Sequence, residues 1–118
     1  MGLDNYWITK DDQHYCPKRP IRIWSGLFSG PDSNNCVRSF RGEAYAYHVL
    51  TITKTNLYDR LSPSKVAEAA QKLLEFIVSG KYWLYDDVEK FITPRHWRDL
   101  TCMFLWYAAR GAKLEAWW

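Results

Sequence analysis

Arginines gather where two helices are expected to begin, although the peptide dipoles at such a place favour anions. Arg38 and Arg41 lie in Val37-Arg38-Ser39-Phe40-Arg41-Gly42, just ahead of a helix-compatible stretch. Arg95, His96 and Arg98 fill the first turn of another, opened by Thr93-Pro94. A helix N-terminus carries roughly half a positive charge and free N–H groups, so a cation there costs ~0.3–1 kcal/mol whereas an anion is held. Both groups therefore point to a negatively charged ligand.

The first group follows a loop. Trp24, Ser25 and Gly26 open a stretch to Asn35 that is dense in Gly, Ser, Pro and Asn, the composition of an exposed turn-rich segment. Its backbone N–H groups, with Arg38, Ser39 and Arg41, would cradle a phosphate, since the guanidinium fork matches phosphate oxygens. Gly42, lacking a side chain, would let the ligand approach the backbone where helical N–H groups open. The expected ligand-binding residues are thus Trp24, Ser25, Gly26, Arg38, Ser39, Arg41 and Gly42, with Arg95, His96 and Arg98 as a second cluster. The competing reading pairs the loop arginines with Asp4, Asp32 or Glu43 and makes the second cluster a solvated face balanced by Asp99.

Other chemistry finds less support. No Gly-x-x-x-x-Gly-Lys-Ser/Thr motif is present, so an ATP-type P-loop is not expected. His14, Cys16 and Cys36 could be imagined as metal ligands, but they lack the Cys-x-x-Cys or His-x-x-x-His spacing of zinc sites. Cys102 and His96 stand six residues apart on one helix, about 9 Å in rise and on different faces, which argues against a nucleophile and base pair. No catalytic constellation, metal or cofactor is expected.

The chain has 118 residues, enough for one domain, 1–118, with a core of its own. A net charge of +3 is spread along the chain, which argues against duplex nucleic acid as the partner. Seven Trp, eight Tyr and five Phe supply rigid surface for a core, an interface or a stacked ligand. Three cysteines at wide spacing read as free thiols in a reducing compartment. Neither a signal-like segment nor a bilayer-length apolar run appears, so an intracellular protein without a membrane partner is expected.

Residues 3–9 read as a strand, and residues 21–24 as a second short one. Residues 42–54 fit both a helical face and an alternating strand, with helix favoured. Ser62 caps a helix over 63–79 in which Val66, Ala69, Ala70, Leu73, Leu74 and Ile77 form the core face, Glu68 and Lys72 pair, and Gly80 stops it. The last helix runs from Pro94 to about Arg110, burying Trp97, Leu100, Phe104, Tyr107 and Ala108, and Gly111 ends it. Trp106, Leu105 and Cys102 form a second apolar side, which points to a homo-oligomer. Leu114 to Trp118 closes the chain as a strand. The expected fold is α+β: a small two-layer domain, its N- and C-terminal strands in one sheet covered by about three helices.

The opening Met1-Gly2-Leu3-Asp4-Asn5-Tyr6, the segment Ser39-Phe40-Arg41-Gly42-Glu43-Ala44-Tyr45 and the later Leu57-Tyr58 resemble a loose group of small phage and prophage proteins. Glu43 stands where that group carries a lysine. The resemblance implies a phage accessory protein in the host cytoplasm, one that counters host defence by sequestering a phosphorylated nucleotide signal without catalysis. Its alternative is a protein-binding inhibitor of a host defence complex such as a CRISPR effector.

Overall fold

Alternation along Asp4–Ile8 sets the architecture, because Asn5 and Trp7 are buried while Asp4, Tyr6 and Ile8 are not, and side chains two apart share a face. In the computed structural model, which describes residues 2–18, 36–84 and 93–118, this strand, β1, lies at the centre of a three-stranded antiparallel sheet of order β2-β1-β3. Strand β2 is Ser39–Phe40, and β3 is Lys113–Trp117. The N- and C-terminal strands pair from Asp4↔Trp117 to Ile8↔Lys113. The expected strand at 21–24 and the Gly/Ser loop at 25–35 lie outside the described residues.

Helices α1 (Ala46–Thr53), α2 (Pro63–Val78) and α3 (Pro94–Ala109) complete the α+β domain. Helix α3 lies against the sheet: the Trp7 ring stacks on Tyr107 at 4.3 Å and meets the edge of Phe104 at 5.0 Å, while Phe40 also packs on Phe104. Helix α2 packs on α3, and α1 on α2. The ambiguous stretch becomes a 3₁₀ turn, Gly42–Ala44, followed by α1. Tyr45, Val49 and Thr53 are buried there while Tyr47 and Thr51, which a strand would place on the same face, are exposed, the pattern of a helix.

The α2 signals act as expected: Ser62 Oγ accepts the Lys65 N–H at 3.4 Å, and Gly80 turns the chain away at φ +80°. Two details differ. Ile77 and Leu74 are only half-buried, and the charges pair as Lys65 with Glu68 at 3.5 Å and Lys72 with Glu75 at 3.9 Å instead of Glu68 with Lys72. Exposed pairs of this kind sit within reach at both i+3 and i+4, so spacing alone does not choose between them.

The cysteines require a correction. Cys16 and Cys36 form a disulfide, which leaves Cys102 as the free thiol. An isolated antiparallel bridge joins Tyr15 to Val37, and one residue onward Cys16 faces Cys36 with 4.0 Å between Cα atoms. Adjacent antiparallel strands hold such opposed pairs close enough to bond. An odd cysteine count hides this, since the pairing depends on a ladder formed only in the fold. The reduced compartment expected from free thiols loses that support.

Candidate functional site

A pocket of about 420 Å³ is lined by Tyr6, Trp7, Asp12, His14, Arg38 and Trp117. Four chain segments build it. Tyr6 and Trp7 come from β1, and Trp117 comes from β3, on the end rung of the β1–β3 ladder opposite Asp4. Asp12 and His14 precede the Tyr15 bridge, and Arg38 follows Val37 on the opposed segment.

A buried hydroxyl ties this ladder to α3. Val37 N–H donates to the Tyr15 carbonyl at 2.7 Å, the direct half of the bridge. The return half runs through Tyr107, whose hydroxyl accepts the Tyr15 N–H at 3.1 Å and donates to the Val37 carbonyl. Burial pushes the Tyr107 phenol up to about 12, with Asp12 adding to the rise and the Tyr15 N–H and Arg38 opposing it. A phenol that ionises later folded than unfolded, where its value is ~10, adds stability that is whole below that pH and is lost as pH rises toward 12. Urea midpoints should therefore fall across this alkaline window, and Tyr107→Phe should show a shallower fall from a starting point ~1–3 kcal/mol lower. Equal slopes in the two proteins would show that the hydroxyl is not held in this relay.

Polar groups in the pocket wall are incompletely matched. Asp12 Oδ1 lies 3.1 Å from His14 Nε2. Among the described residues, neither His14 Nδ1 nor the Trp7 indole N–H, both buried, has a hydrogen-bond partner. A buried polar atom left without a partner costs ~1–3 kcal/mol, so such atoms beside a pocket are places where a ligand can supply the missing bond.

Among the described residues, Arg38 is the one expected anion-binding residue that lines this pocket, where it is joined by His14, weighed from the sequence only as a metal ligand. Ser39 is fully buried in β2. Arg41 Nε lies 3.7 Å from Asp4 Oδ1, the structural pairing anticipated as its alternative role. At Gly42 the space without a side chain is filled by Asn5, whose Oδ1 would lie 1.7 Å from an added Cβ. The N–H groups that follow are also used: Glu43 donates to Leu3, Ala44 to Arg41 and Tyr45 to Gly42. This turn therefore serves packing, and the structure does not join it to the pocket. Trp24, Ser25 and Gly26 lie outside the described residues.

The second cluster stands elsewhere. His96 is the third residue of α3, and its Nδ1 accepts the Thr93 N–H at 3.1 Å and lies 2.8 Å from Thr93 Oγ1. It thus closes a capping box, a structural use of a nitrogen that the sequence assigns to an anion site. Arg95 and Arg98 are exposed and, at 1.5 Å rise per residue, Arg95 stands about 18 Å along α3 from Tyr107 and the Arg38 ladder. One compact ligand does not span both groups.

Trp106, read as facing a second copy, is half-buried within the chain. Tyr15 packs on it at 5.7 Å and the Arg110 guanidinium lies 3.6 Å above its ring, so its burial needs no partner. Cys102 is exposed, yet desolvation and Asp99 push its thiol up, which keeps it in the less reactive thiol form.

Comparison with protein-family models, curated proteins and solved structures returns no match. Among the described residues no helix is long and apolar enough to cross a membrane, and no group of three or more His, Cys, Asp or Glu side chains gathers to hold a metal.

The sequence missed Tyr6, Trp7, Asp12 and Trp117 as site residues, and offered His14 only as a poorly supported metal ligand. One signal was available: pairing of the terminal strands, expected from the sequence, brings Trp117 beside β1. Nothing in the spacing signals the other juxtaposition, His14 with Arg38, because it depends on the disulfide ladder.

Proposed function

We propose that this protein binds a small phosphorylated nucleotide in the Arg38 pocket and holds it without chemical change. In the phage setting that the sequence resemblance implies, such binding would withdraw a signal from host defence. The observation that supports the reading is the shared lining of one pocket by Arg38, His14 and the aromatic residues Tyr6 and Trp117. A guanidinium takes phosphate oxygens through paired charge-assisted hydrogen bonds. Aromatic faces take a nucleobase, with stacking worth ~1–3 kcal/mol per base. A volume of about 420 Å³ lies within the usual range for small-ligand sites, ~300–1,000 Å³.

Thermal shift against mono-, di- and cyclic nucleotides tests this, because a ligand bound only by the folded state raises its stability. For any nucleotide that stabilises the chain, Arg38→Ala should weaken binding by about tenfold or more, equivalent to ~1.4 kcal/mol. Arg41→Ala should leave affinity unchanged while lowering stability modestly. Failure of every nucleotide to stabilise the wild-type chain would remove the reading, as would an Arg38→Ala variant of undiminished affinity.

A second reading draws on the exposed end of the sheet. Trp117 and Trp118 are 60% and 65% exposed, and Trp118 packs edge-on against Tyr58 at 5.7 Å while donating to its carbonyl. Fixed, exposed aromatics of this kind are favoured anchors at protein interfaces, which suits a protein-binding inhibitor of a host defence complex. That reading takes first place if no nucleotide binds.

A further inference from the structure

The Cys16–Cys36 bond sits two rungs from the polar pair of the pocket, on the far side of the Tyr15↔Val37 bridge. Continued one residue in each direction, the register of the Tyr15↔Val37 bridge sets Cys16 opposite Cys36 on one side and His14 opposite Arg38 on the other. Residues two apart on a strand share a face, so the disulfide and the His14/Arg38 rung lie on the same side of the ladder. The observed sulfur bond supports the first pairing, and the common pocket supports the second.

We infer that the Cys16–Cys36 bond is a redox control on this pocket, fixing His14 opposite Arg38 when oxidised and releasing that rung when reduced. The inference rests on the nucleotide reading above for its consequence in binding. Its geometric half stands without any ligand. Cys16 is exposed and Cys36 is buried, so an external dithiol reaches the Cys16 sulfur first. A thiolate of the dithiol bonds to Cys16 and expels Cys36 as a thiolate, which takes up a proton. The second thiolate of the dithiol then displaces Cys16, which is protonated in turn, and the reductant leaves as its own cyclic disulfide. Two electrons and two protons pass to the two cysteines, and the dithiol is oxidised by the same amount.

With the covalent link gone, the hydrogen bonds that join the Tyr15 segment to the Val37 segment are the Val37 N–H bond and the Tyr107 relay, while the Trp7 N–H still holds the Arg38 carbonyl on β1. The ladder is short and only partly covered, with Cys16 exposed and Tyr15 half-buried although Val37 is buried, and such peripheral segments open locally at less cost than the whole fold. The half of the pocket carrying Asp12 and His14 then separates from the half carrying Arg38.

The test has two arms. In the ligand-free arm, amide hydrogen exchange is followed by NMR in the oxidised chain, the dithiothreitol-reduced chain and a Cys16→Ser/Cys36→Ser variant. Exchange at the Val37 amide is expected to quicken about tenfold or more on reduction, while the Leu73 amide in α2 keeps its protection. Unchanged protection at Val37, or loss of protection at Leu73 as well, would overturn the inference. The reduced wild-type chain answers the question even if the double variant does not fold.

In the binding arm, AMP and GMP are titrated calorimetrically into the oxidised and reduced chains, with affinity expected to fall about tenfold on reduction. Equal affinity in both states would sink the redox control and leave the nucleotide reading standing. Absence of binding to the oxidised chain would remove control over nucleotide binding together with that reading, and the exchange arm would show separately whether the disulfide holds the ladder.

Discussion

Trp97→Ala should cost ~3–5 kcal/mol, the largest single loss expected in this chain, read as a lower urea midpoint with little change in slope. Trp97 is fully buried in the first turn of α3. Three rings meet it edge to face: Tyr45 at 6.1 Å, His48 at 6.0 Å from α1, and Phe76 at 5.7 Å from α2. Such pairs add ~0.5–1.5 kcal/mol beyond the area they bury. Truncation removes all three contacts at once and leaves a cavity beside the buried His48, which the surrounding helices cannot close without moving. A loss below ~1 kcal/mol would mean that this end of α3 is not packed as described.

Gly42→Ala should cost about 3 kcal/mol or more, an unusual result for the addition of one methyl group. The new Cβ would stand 1.7 Å from Asn5 Oδ1, 2.9 Å from Asn5 Cγ and 3.1 Å from Leu3 Cδ2. Asn5 cannot swing aside cheaply. Its Nδ2 donates to the Leu57 carbonyl at 2.8 Å and to the Glu115 carbonyl at 3.2 Å, so retreat would strand buried polar groups from three parts of the chain. Denaturation of the variant checks the cost, and nucleotide titration checks what the glycine is for. Native stability with lost binding would restore Gly42 as the point where a ligand meets the backbone; destabilisation places it in the support of β1.

Local signals carried far in this protein. Ser62, Pro63 and Gly80 bracket α2, Thr93, Pro94 and Gly111 bracket α3, and the apolar spacing between them selects the buried faces. Each of these depends on residues within a few positions of one another, where helix geometry and capping fix the outcome. The aromatic and β-branched composition of residues 3–9 likewise marked a strand, and two terminal strands in an α+β chain implied one sheet.

The site was far less legible, and Arg38 and Arg41 show why. Three positions apart, both have the residue type and placement of phosphate donors, yet one lines the pocket and the other lies against Asp4. His96 looked like part of a cationic cluster, but its Nδ1 is committed to the Thr93 N–H.

By itself, then, the sequence determined α2, α3, the strand character of both ends and the α+β class, because these follow from short-range periodicity, composition and capping, while α1 was favoured over a strand without being decided. Only the tertiary structure decided that Cys16 meets Cys36, that the Tyr107 hydroxyl completes the Tyr15–Val37 bridge, and that His14 and Trp117 come to Arg38. Those pairings join residues remote in sequence, whose meeting depends on strand register and on the packing of α3, neither of which is encoded in any local window.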